Sequence, residues 1–458
     1  MQSVEINGLE RIVHMIDLST SRLVLGQGVI GSYLIDRFER EKLDYRVMDI
    51  GEGISELPKF TSTASNINCN LGASRNSFLS NSAMVWGRGL MMVPENEIIE
   101  LEHPIATESF KKAIENVCQF FLDRNSSSLQ TYKIEEHTLI DSLIIPKNKH
   151  DKFFLNKRKS LIADHMALEI IPEKTGFTVK AINMKTGSKI NIHTRELFIT
   201  LGAVETVRLL LNSKKLFNGE QTEIGQHWKD HVSCQTATVY LAQGKQLRHL
   251  SPRMGAVRKY PRFYHDPQDS DGFGGFSFLD FNPFAPSSRF KEKLKRNLSG
   301  YELATGHTTS KTLLETEESA DCYMELREIT KDSIPSLRLN FNVTEKFIDV
   351  LRKNSKQFTN HLKSSNAEIA ESIDSNANLS DQLFDSLHPT GVLPVSDLPK
   401  VGGFNSDFEM HGNPGLFCFS TGLLPRAFST QPTLSGIAFA EMYLTRLYGR
   451  KRTSRQAV

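Results

Sequence analysis

The sequence is poor in cysteine, and none of its cysteines stands in a pattern typical of cross-links or metal binding. Only five occur, at Cys69, Cys118, Cys234, Cys322 and Cys418, without a CxxC pair or a histidine-rich partner. This scatter argues against a disulfide framework and against a structural zinc site, so we expect no metal. It favours a reducing compartment.

The sequence also lacks an excess of either charge and any long apolar run. Lys and Arg number 55 against 53 Asp and Glu, a net charge of +2, so no summed field favours nucleic acid or an anionic membrane surface. No window approaches the ~20 apolar residues of a membrane span. Glu5, Glu10, Arg11 and Asp17 interrupt the N-terminal residues, unlike a secretion signal. We therefore expect a cytoplasmic protein with no nucleic-acid partner; its oligomeric state is left open.

A glycine-rich turn near the N-terminus is the first feature that points to chemistry. The stretch SRLVLGQGVIGSYLIDRFEREKLDYRVMDIG has a short apolar strand, then Gly26, Gly28 and Gly31, then an amphipathic helix and a second strand that ends at Asp49. Such a turn presents backbone N–H groups to a pyrophosphate, and an acid about 20 residues further on takes a ribose hydroxyl. This order predicts a dinucleotide site, in which Asp49 disfavours NADP; the alternative is a purely structural turn.

Two further segments suit a flat cofactor. The polar stretch 61–89 carries Trp86, followed by Gly87 and Gly89, and would approach a ring closely, or else is a plain surface connection. Residues 164–201 alternate as short strands and run into a helix after Gly202, a second strand-to-helix turn. The loop GQHWKDH, with His227, Asp230 and His231, is open to a metal interpretation, but a polar hairpin edge explains it as well.

Residues 246–384 contain strand-like runs that predict an antiparallel sheet, followed by a helix from Thr344 to about Ile373. The aromatic residues of these strands suit either a pocket wall or ordinary sheet core. The length of 458 residues favours two or more structural units.

The C-terminal part places a histidine and an amide near the start of a helix. Pro432 suits the first helical position of PTLSGIAFAEMYLTRL, and the free N–H groups behind Thr433 make a partial positive charge that favours an anion. His388, in the sequence HPTG, lies in a non-helical loop. It would take a hydroxyl proton while Gln431 orients the same oxygen, or it is a solvent-facing bystander.

Together these stretches resemble the glucose–methanol–choline family of flavin oxidoreductases. The resemblance rests on LVLGQGVIGS with MDIG, on LGAVETVRLLLNS, on GQHWKDH with its G-x-x-x-x-D-H pattern, and on HPTG followed by FSTGLLPRAFSTQPTLS. It implies an α/β (α+β) fold with a Rossmann-like FAD-binding domain and a substrate domain on a mostly antiparallel sheet with helices. The implied domains are 1–70, 160–245 and 400–458 for FAD, 71–159 for a flavin-facing loop and helical connection, and 246–399 for substrate.

The resemblance also implies roles for individual residues. His388 would accept the substrate hydroxyl proton while hydride passes to flavin N5, and Gln431 stands where the family has histidine or asparagine. The helix start at Pro432 would face the flavin ring. Because 70–90 contains no histidine, FAD is expected to be non-covalent. The implied FAD contacts are Gly26, Gly28, Val29, Ile30, Gly31, Asp49, Trp86, Ala167, Gly202, Ala203, Glu205, Ser420, Pro432 and Thr433.

The implied activity is oxidation of a small-molecule alcohol with transfer of electrons to an acceptor that the sequence does not identify. A sugar or polyol substrate is favoured by polar and aromatic residues in the predicted substrate domain: Tyr260, Tyr264, His265, Asn282, Tyr301 and His307. The alternatives are a flavin-containing lyase on the same scaffold and a flavin-binding protein that has lost redox activity. Gln431, and Ser80 and Asn81 ahead of Trp86 where the family has paired glycines, favour the last of these.

Overall fold

The computed structural model describes most of the chain. The described residues are 3–6, 9–12, 16–50, 61–62, 89–99, 107–122, 131–134, 137–145, 160–241, 250, 258–280, 306–327, 334–365, 368–372 and 382–456. Trp86, Asn282 and Tyr301 lie outside them, so the predictions made for these three side chains stay predictions.

The helices and strands of the described part are numbered here in chain order. The strands are β1 Ser3–Ile6, β2 Leu9–Ile12, β3 Ile16–Leu25, β4 Arg46–Met48, β5 Thr61–Ser62, β6 Gly89–Met91, β7 Thr131–Ile134, β8 His137–Ile144, β9 Leu161–Ile162, β10 His165–Glu173, β11 Gly176–Asn183, β12 Lys189–Ile199, β13 His231–Leu241, β14 Arg258–His265, β15 Gly275–Asp280, β16 Gly306–Glu315, β17 Tyr323–Leu326, β18 Leu337–Asn340, β19 Glu368–Ser372, β20 Phe384–Asp385 and β21 Leu416–Cys418. The α-helices are α1 Val29–Arg40, α2 Glu95–Ile99, α3 Thr107–Leu122, α4 Ala203–Asn212, α5 Glu345–Ser364 and α6 Thr433–Gln456.

The first sheet carries the glycine turn. Its order is β10-β11-β12-β3-β4-β9, and β21 also pairs with β12. Strands β3, β4, β9 and β21 run parallel to their neighbours, whereas β10, β11 and β12 form the antiparallel meander that the alternating sequence predicts. Leu23, Val24 and Leu25 are fully buried, as a central parallel strand covered on both faces requires. The predicted β3-α1-β4 unit is therefore present.

The second sheet is antiparallel throughout the described residues, in the order β19-β13-β16-β15-β14-β8-β6, with β20 on β13 and β7 on β8. The aromatic side chain of Phe276 in β15 is buried in it, which favours the sheet-core interpretation for this residue, whereas Phe273 lies before β15 and packs against Phe347 of α5. The mixed α/β fold class predicted from the sequence is confirmed. The smaller sheets are β1-β2 and β17-β18-β5.

Two details differ from the sequence interpretation. Helix α5 begins after Thr344, whose hydroxyl caps the N–H of Phe347, but it ends at Ser364 rather than near Ile373. Residues Glu368–Ser372 instead form β19 against β13, because pairing with an existing sheet outweighs their helical propensity. Strands β6 to β8 and β13 belong to the second sheet, although the predicted boundaries put them in the connection and the FAD domain. The domain boundaries themselves stay a prediction.

Helix α6 joins the parts of the molecule that form the site. Its Glu441 accepts hydrogen bonds from Tyr33 of α1 at 2.9 Å and from Asn116 of α3 at 3.0 Å. These hydrogen bonds from the Tyr33 hydroxyl and the Asn116 amide fix the rotation of α6 against α1. They therefore also fix the direction of the α6 N-terminus. No helix in the described ranges is long and apolar enough to cross a membrane.

Candidate active site

The glycine turn after β3 is closed by contacts that leave no room for larger residues. Gly26 has φ +95°, and a Cβ there would stand 2.9 Å from the carbonyl oxygen of Thr200. A Cβ on Gly31 would stand 2.1 Å from the carbonyl oxygen of Gly26. The hydroxyl of Thr200 donates to that same oxygen at 2.7 Å. Both glycines are therefore required for the turn to form.

The turn ends in a helix start suited to an anion. Gly28 is the N-cap of α1, and no hydrogen bond from a side chain caps this end in the described structure. The N–H groups of the first turn, including those of Val29 and Ile30, have no partner within the helix itself and suit a phosphate. Asp49 follows β4, and its Oδ2 accepts the backbone N–H of Gln27 at 2.7 Å. The predicted ribose ligand is thus held beside the turn.

The second strand-to-helix turn has the same character. Gly202 has φ +80° and is the N-cap of α4, and a Cβ on it would meet no atom within 4 Å. Ala203 begins α4 and is buried. A cofactor could therefore approach the backbone closely at Gly202, because there is open space beside this residue and a helix N-terminus directly after it.

Arg208, which the sequence interpretation had not singled out, connects two predicted cofactor residues. It is fully buried; its Nε donates to Glu205 Oε2 at 2.7 Å and its Nη2 to the carbonyl oxygen of Ala167 at 2.7 Å. The structure thus brings Ala167 and Glu205 together, with the Glu205 carboxylate in an ion pair. The available signal was a lone arginine inside the apolar run VRLLL.

The N-terminus of α6 meets that of α1. A Cβ on Gly436 would stand 2.8 Å from Cδ1 of Ile30, so the first turns of the two helices touch. Pro432 precedes the helix, and its carbonyl accepts the N–H of Gly436 at 2.9 Å. Thr433 is the first helical residue. Two partial positive charges therefore converge on one region.

Three buried hydroxyls without hydrogen-bond partners among the described residues lie in the segment that leads into α6 and in its first turn. Ser429 Oγ, Thr430 Oγ1 and Ser435 Oγ are buried and make no hydrogen bond in the described structure. A buried polar atom without a partner costs about 1–3 kcal/mol, so these three hydroxyls suit a polar ligand. Ser420 differs, because its buried hydroxyl accepts the N–H of Gly422 at 3.1 Å and caps the turn Thr421–Leu423.

His388 lies in the loop after β20 and is half-buried. Its backbone N–H donates to Oδ1 of the buried Asp230 at 2.9 Å. Its Nδ1 lies 3.2 Å from Nδ1 of His231, and Nε2 of His231 lies 2.7 Å from the carbonyl oxygen of Phe428. Burial and the neighbouring His231 ring lower the pKa of His388 to about 3. The imidazole is therefore neutral at physiological pH and is able to accept a proton.

The loop GQHWKDH thus supplies a partner for His388. His231 contacts His388, and His227 instead pairs with Glu318 at 3.1 Å. The described residues contain no group of three His, Cys, Asp or Glu side chains that would hold a metal ion.

Gln431 is half-buried at the entrance to α6 and reaches the second sheet. A Cβ on Gly89 of β6 would stand 2.8 Å from Gln431 Oε1 and 3.1 Å from Ser142 Oγ of β8. The amide therefore lies against the ends of two strands. His231 connects the His388 loop to Phe428, three residues before Gln431.

A buried charge cluster holds the segment in front of Gln431. Arg426 Nε donates to Glu315 at 2.9 Å, and its Nη2 lies 3.3 Å from Glu97. The backbone N–H of Ala427 donates to Glu315 at 2.6 Å, and that of Ser429 donates to Glu97 at 2.9 Å. Burial raises the pKa of the Glu97 carboxyl, which is fully enclosed.

Of the residues predicted for a polar substrate pocket, two have internal partners. Tyr264 donates its hydroxyl to Glu97 at 3.0 Å, and His265 Nε2 lies 2.7 Å from the hydroxyl of Ser277. Both side chains are buried, Tyr264 joining β14 to α2 and His265 joining β14 to β15, so neither gives support to a sugar substrate.

Comparison with known proteins agrees with this geometry. Residues 318–440, which include His388 and Gln431, match the model of the GMC oxidoreductase family. The chain is similar to the crystal structure of pyridoxine 4-oxidase from Mesorbium loti, with a TM-score of 0.60 and 11% sequence identity, over 94% of this chain and 99% of that chain. No curated protein matches its sequence. The resemblance to this family predicted from the sequence is confirmed.

Proposed function

We propose that the protein is an FAD-dependent oxidoreductase that oxidises the CH–OH group of a small-molecule alcohol. The observation that carries the proposal is the contact of His388 with His231, which in turn meets the Phe428 carbonyl in the segment that leads into the N-terminus of α6. The match of residues 318–440 to the GMC oxidoreductase family supports it. The likeness to a protein named as a pyridoxine oxidase agrees with the reaction type.

The residues present fit FAD. Gly26, Gly28 and Gly31 with the start of α1 would hold the pyrophosphate, and Asp49 would bind the ribose. Ser429, Thr430 and Ser435 supply buried hydroxyls that lack partners in the described structure. When bound, FAD would accept the hydride that leaves the alcohol carbon. The absence of histidine in 70–90 supports a non-covalent cofactor.

The protein's own groups would handle the proton and the oxygen. His388 would accept the hydroxyl proton, because burial and His231 keep its imidazole neutral. Gln431 would donate an amide N–H to the same oxygen as negative charge develops on it. The positive end of α6 would favour the negative charge that accumulates beside it.

The direct test is the absorption spectrum of the purified protein, followed by anaerobic addition of alcohols. A flavin band near ~450 nm that bleaches with an alcohol supports the proposal. Bleaching is also what separates it from the lyase and lost-activity alternatives, because a lyase turns over its substrate without net reduction. A colourless protein that does not bind added FAD would contradict the proposal.

The substrate class is tested by measuring flavin bleaching with a panel of alcohols. We propose a sugar or polyol on the basis of the other polar and aromatic residues predicted for the substrate domain, such as the half-buried Tyr260, and the panel should set these against simple primary alcohols and pyridoxine. Reoxidation by air, compared with reoxidation by an artificial acceptor, distinguishes an oxidase from a dehydrogenase. Strongest bleaching by an apolar alcohol would contradict the sugar assignment and leave the oxidoreductase assignment standing.

A further inference from the structure

We propose that His231 is a positioning residue that holds His388 in the tautomer with its proton on Nδ1, leaving Nε2 as the bare base. This inference rests on the proposed function only for its consequence in turnover. The protonation pattern itself follows from two contacts, one to Phe428 and one to His388.

The first contact fixes the proton of His231. The carbonyl oxygen of Phe428 accepts hydrogen bonds and has no proton to give, and it lies 2.7 Å from His231 Nε2. Nε2 of His231 must therefore carry a hydrogen. A neutral imidazole has one N–H, so Nδ1 of His231 is a bare acceptor.

The second contact then fixes His388. The two Nδ1 atoms face each other at 3.2 Å, with the ring planes at 86°. One of the two nitrogens must donate, and His231 Nδ1 has no hydrogen. Nδ1 of His388 therefore donates, and its Nε2 is left with a free lone pair. That nitrogen is the one able to take a hydroxyl proton.

The neutral state of His231 is supported by its surroundings. Its ring is fully buried, and burial lowers the pKa of His231. The charged groups near it are Glu315, which favours the cation, and Arg426, which opposes it. Because Arg426 and Glu315 pair with each other at 2.9 Å, their fields largely cancel at the ring.

The backbone on both sides is held in an unusual conformation that keeps the two rings in place. Leu387 and Phe428 both have φ +61°, a region that bulky side chains rarely adopt. Asp230 holds the backbone N–H of His388 at 2.9 Å. Such conformations persist only where the surrounding contacts enforce them, and they cluster at active sites.

Two substitutions of His231 separate its two hydrogen bonds. His231→Asn places an amide oxygen near the position of Nδ1, where it accepts from His388, and gives up the bond to Phe428. His231→Gln places an amide N–H near the position of Nε2, where it donates to Phe428, and leaves His388 Nδ1 without its acceptor. The pair is matched in polarity and charge.

The first measurement is the ¹⁵N NMR spectrum of histidine side chains in the FAD-loaded protein, with His388 assigned by comparison with His388→Asn. In the native protein we expect a protonated Nδ1 and a bare Nε2 for His388. In His231→Gln we expect the two nitrogens to average toward mixed tautomers, and in His231→Asn we expect the native pattern. A protonated Nε2 on His388 in the native protein would overturn the inference, even if neither variant folds.

The second measurement is turnover of the same proteins. We expect kcat of His231→Gln to fall about tenfold or more with KM and FAD content within about twofold, and His231→Asn to recover most of the loss. Equal losses of kcat in both variants would contradict the positioning role. A native protein with the expected tautomer but no bleaching by any alcohol would contradict the proposed function and still support the tautomer assignment.

Discussion

Adding one methyl group at Gly89 tests whether Gln431 orients the substrate oxygen. The Cβ of an alanine would stand 2.8 Å from Gln431 Oε1, whereas ordinary contacts begin at 3.4 Å, so the amide must move by about 0.6 Å. A displacement of about 1 Å at a reacting group costs about a hundredfold in rate. We therefore expect Gly89→Ala to lower kcat about tenfold.

The assay is anaerobic flavin bleaching in single turnovers, with FAD content and the free energy of unfolding measured in parallel. FAD content should be unchanged, because the Gly26 and Gly31 turn belongs to the first sheet and is untouched. The free energy of unfolding should fall by at most the ~1–3 kcal/mol of a tight core insertion. A Gly89→Ala protein that bleaches at the native rate would refute the role given to Gln431.

A second substitution supplies the matched control. Gln431→Asn shortens the side chain by one methylene, and since the family has asparagine or histidine there, we expect hydride transfer to be retained or improved. The double variant should lose less than Gly89→Ala alone, because the shorter amide leaves room for the new methyl group. Ser142→Ala, which relieves only the 3.1 Å contact with Ser142 Oγ, should not restore the rate. A loss beyond a hundredfold in Gln431→Asn would count against the assigned role.

Three further outcomes are expected. Asp49→Ala should retain less FAD after gel filtration while its circular dichroism stays native, because the carboxylate holds the N–H of Gln27 beside the turn; full retention would exclude it as a cofactor ligand. Since the pKa of His388 is lowered to about 3, kcat/KM should stay flat from neutral pH down to about pH 4 and fall below it, and a midpoint near 6.5 would contradict this environment. Burial lowers the pKa of His265 to about 3, so the unfolded chain binds its proton first as the pH falls, and the free energy of unfolding should drop by up to ~1.4 kcal/mol per pH unit between pH 6.5 and 3. In urea titrations, His265→Gln should lose that part of the pH dependence. A free energy of unfolding that falls with pH as steeply in His265→Gln as in the native protein would contradict the prediction.

Local patterns in the sequence predicted the local structure well. The β3-α1-β4 unit, the antiparallel meander and the start of α5 at its Thr344 cap were all visible as periodicity and turn chemistry. The end of α5 was not, because residues Glu368–Ser372 pair with β13, a strand more than a hundred residues earlier. A single sequence shows the helical or strand propensity of such a segment, but it does not show which distant strand the segment pairs with.

The sequence predicted the candidate site residues only where they belong to a recognisable motif. His388, Gln431 and the three glycines of the first turn stood out as residue types in a typical order. The role of His231 did not, because its contact with Phe428 joins residues 197 apart and runs through a backbone carbonyl that any residue would supply. Arg208 was hidden for a related reason, since an arginine inside an apolar run looks like a surface residue until its two acceptors are known.

The buried charge cluster explains how one carbonyl comes to select a tautomer. Phe428 has φ +61°, a conformation that its side chain disfavours. The N–H groups on either side of it, those of Ala427 and Ser429, donate to Glu315 and Glu97. With both flanking peptides held by carboxylates, the Phe428 carbonyl is directed at His231 Nε2, and the protonation of two imidazoles follows from that direction. The carboxylates are buried, so water does not compete for these bonds, and the tautomer proposed for His388 depends on groups that contact neither of the two imidazoles through a hydrogen bond of their own.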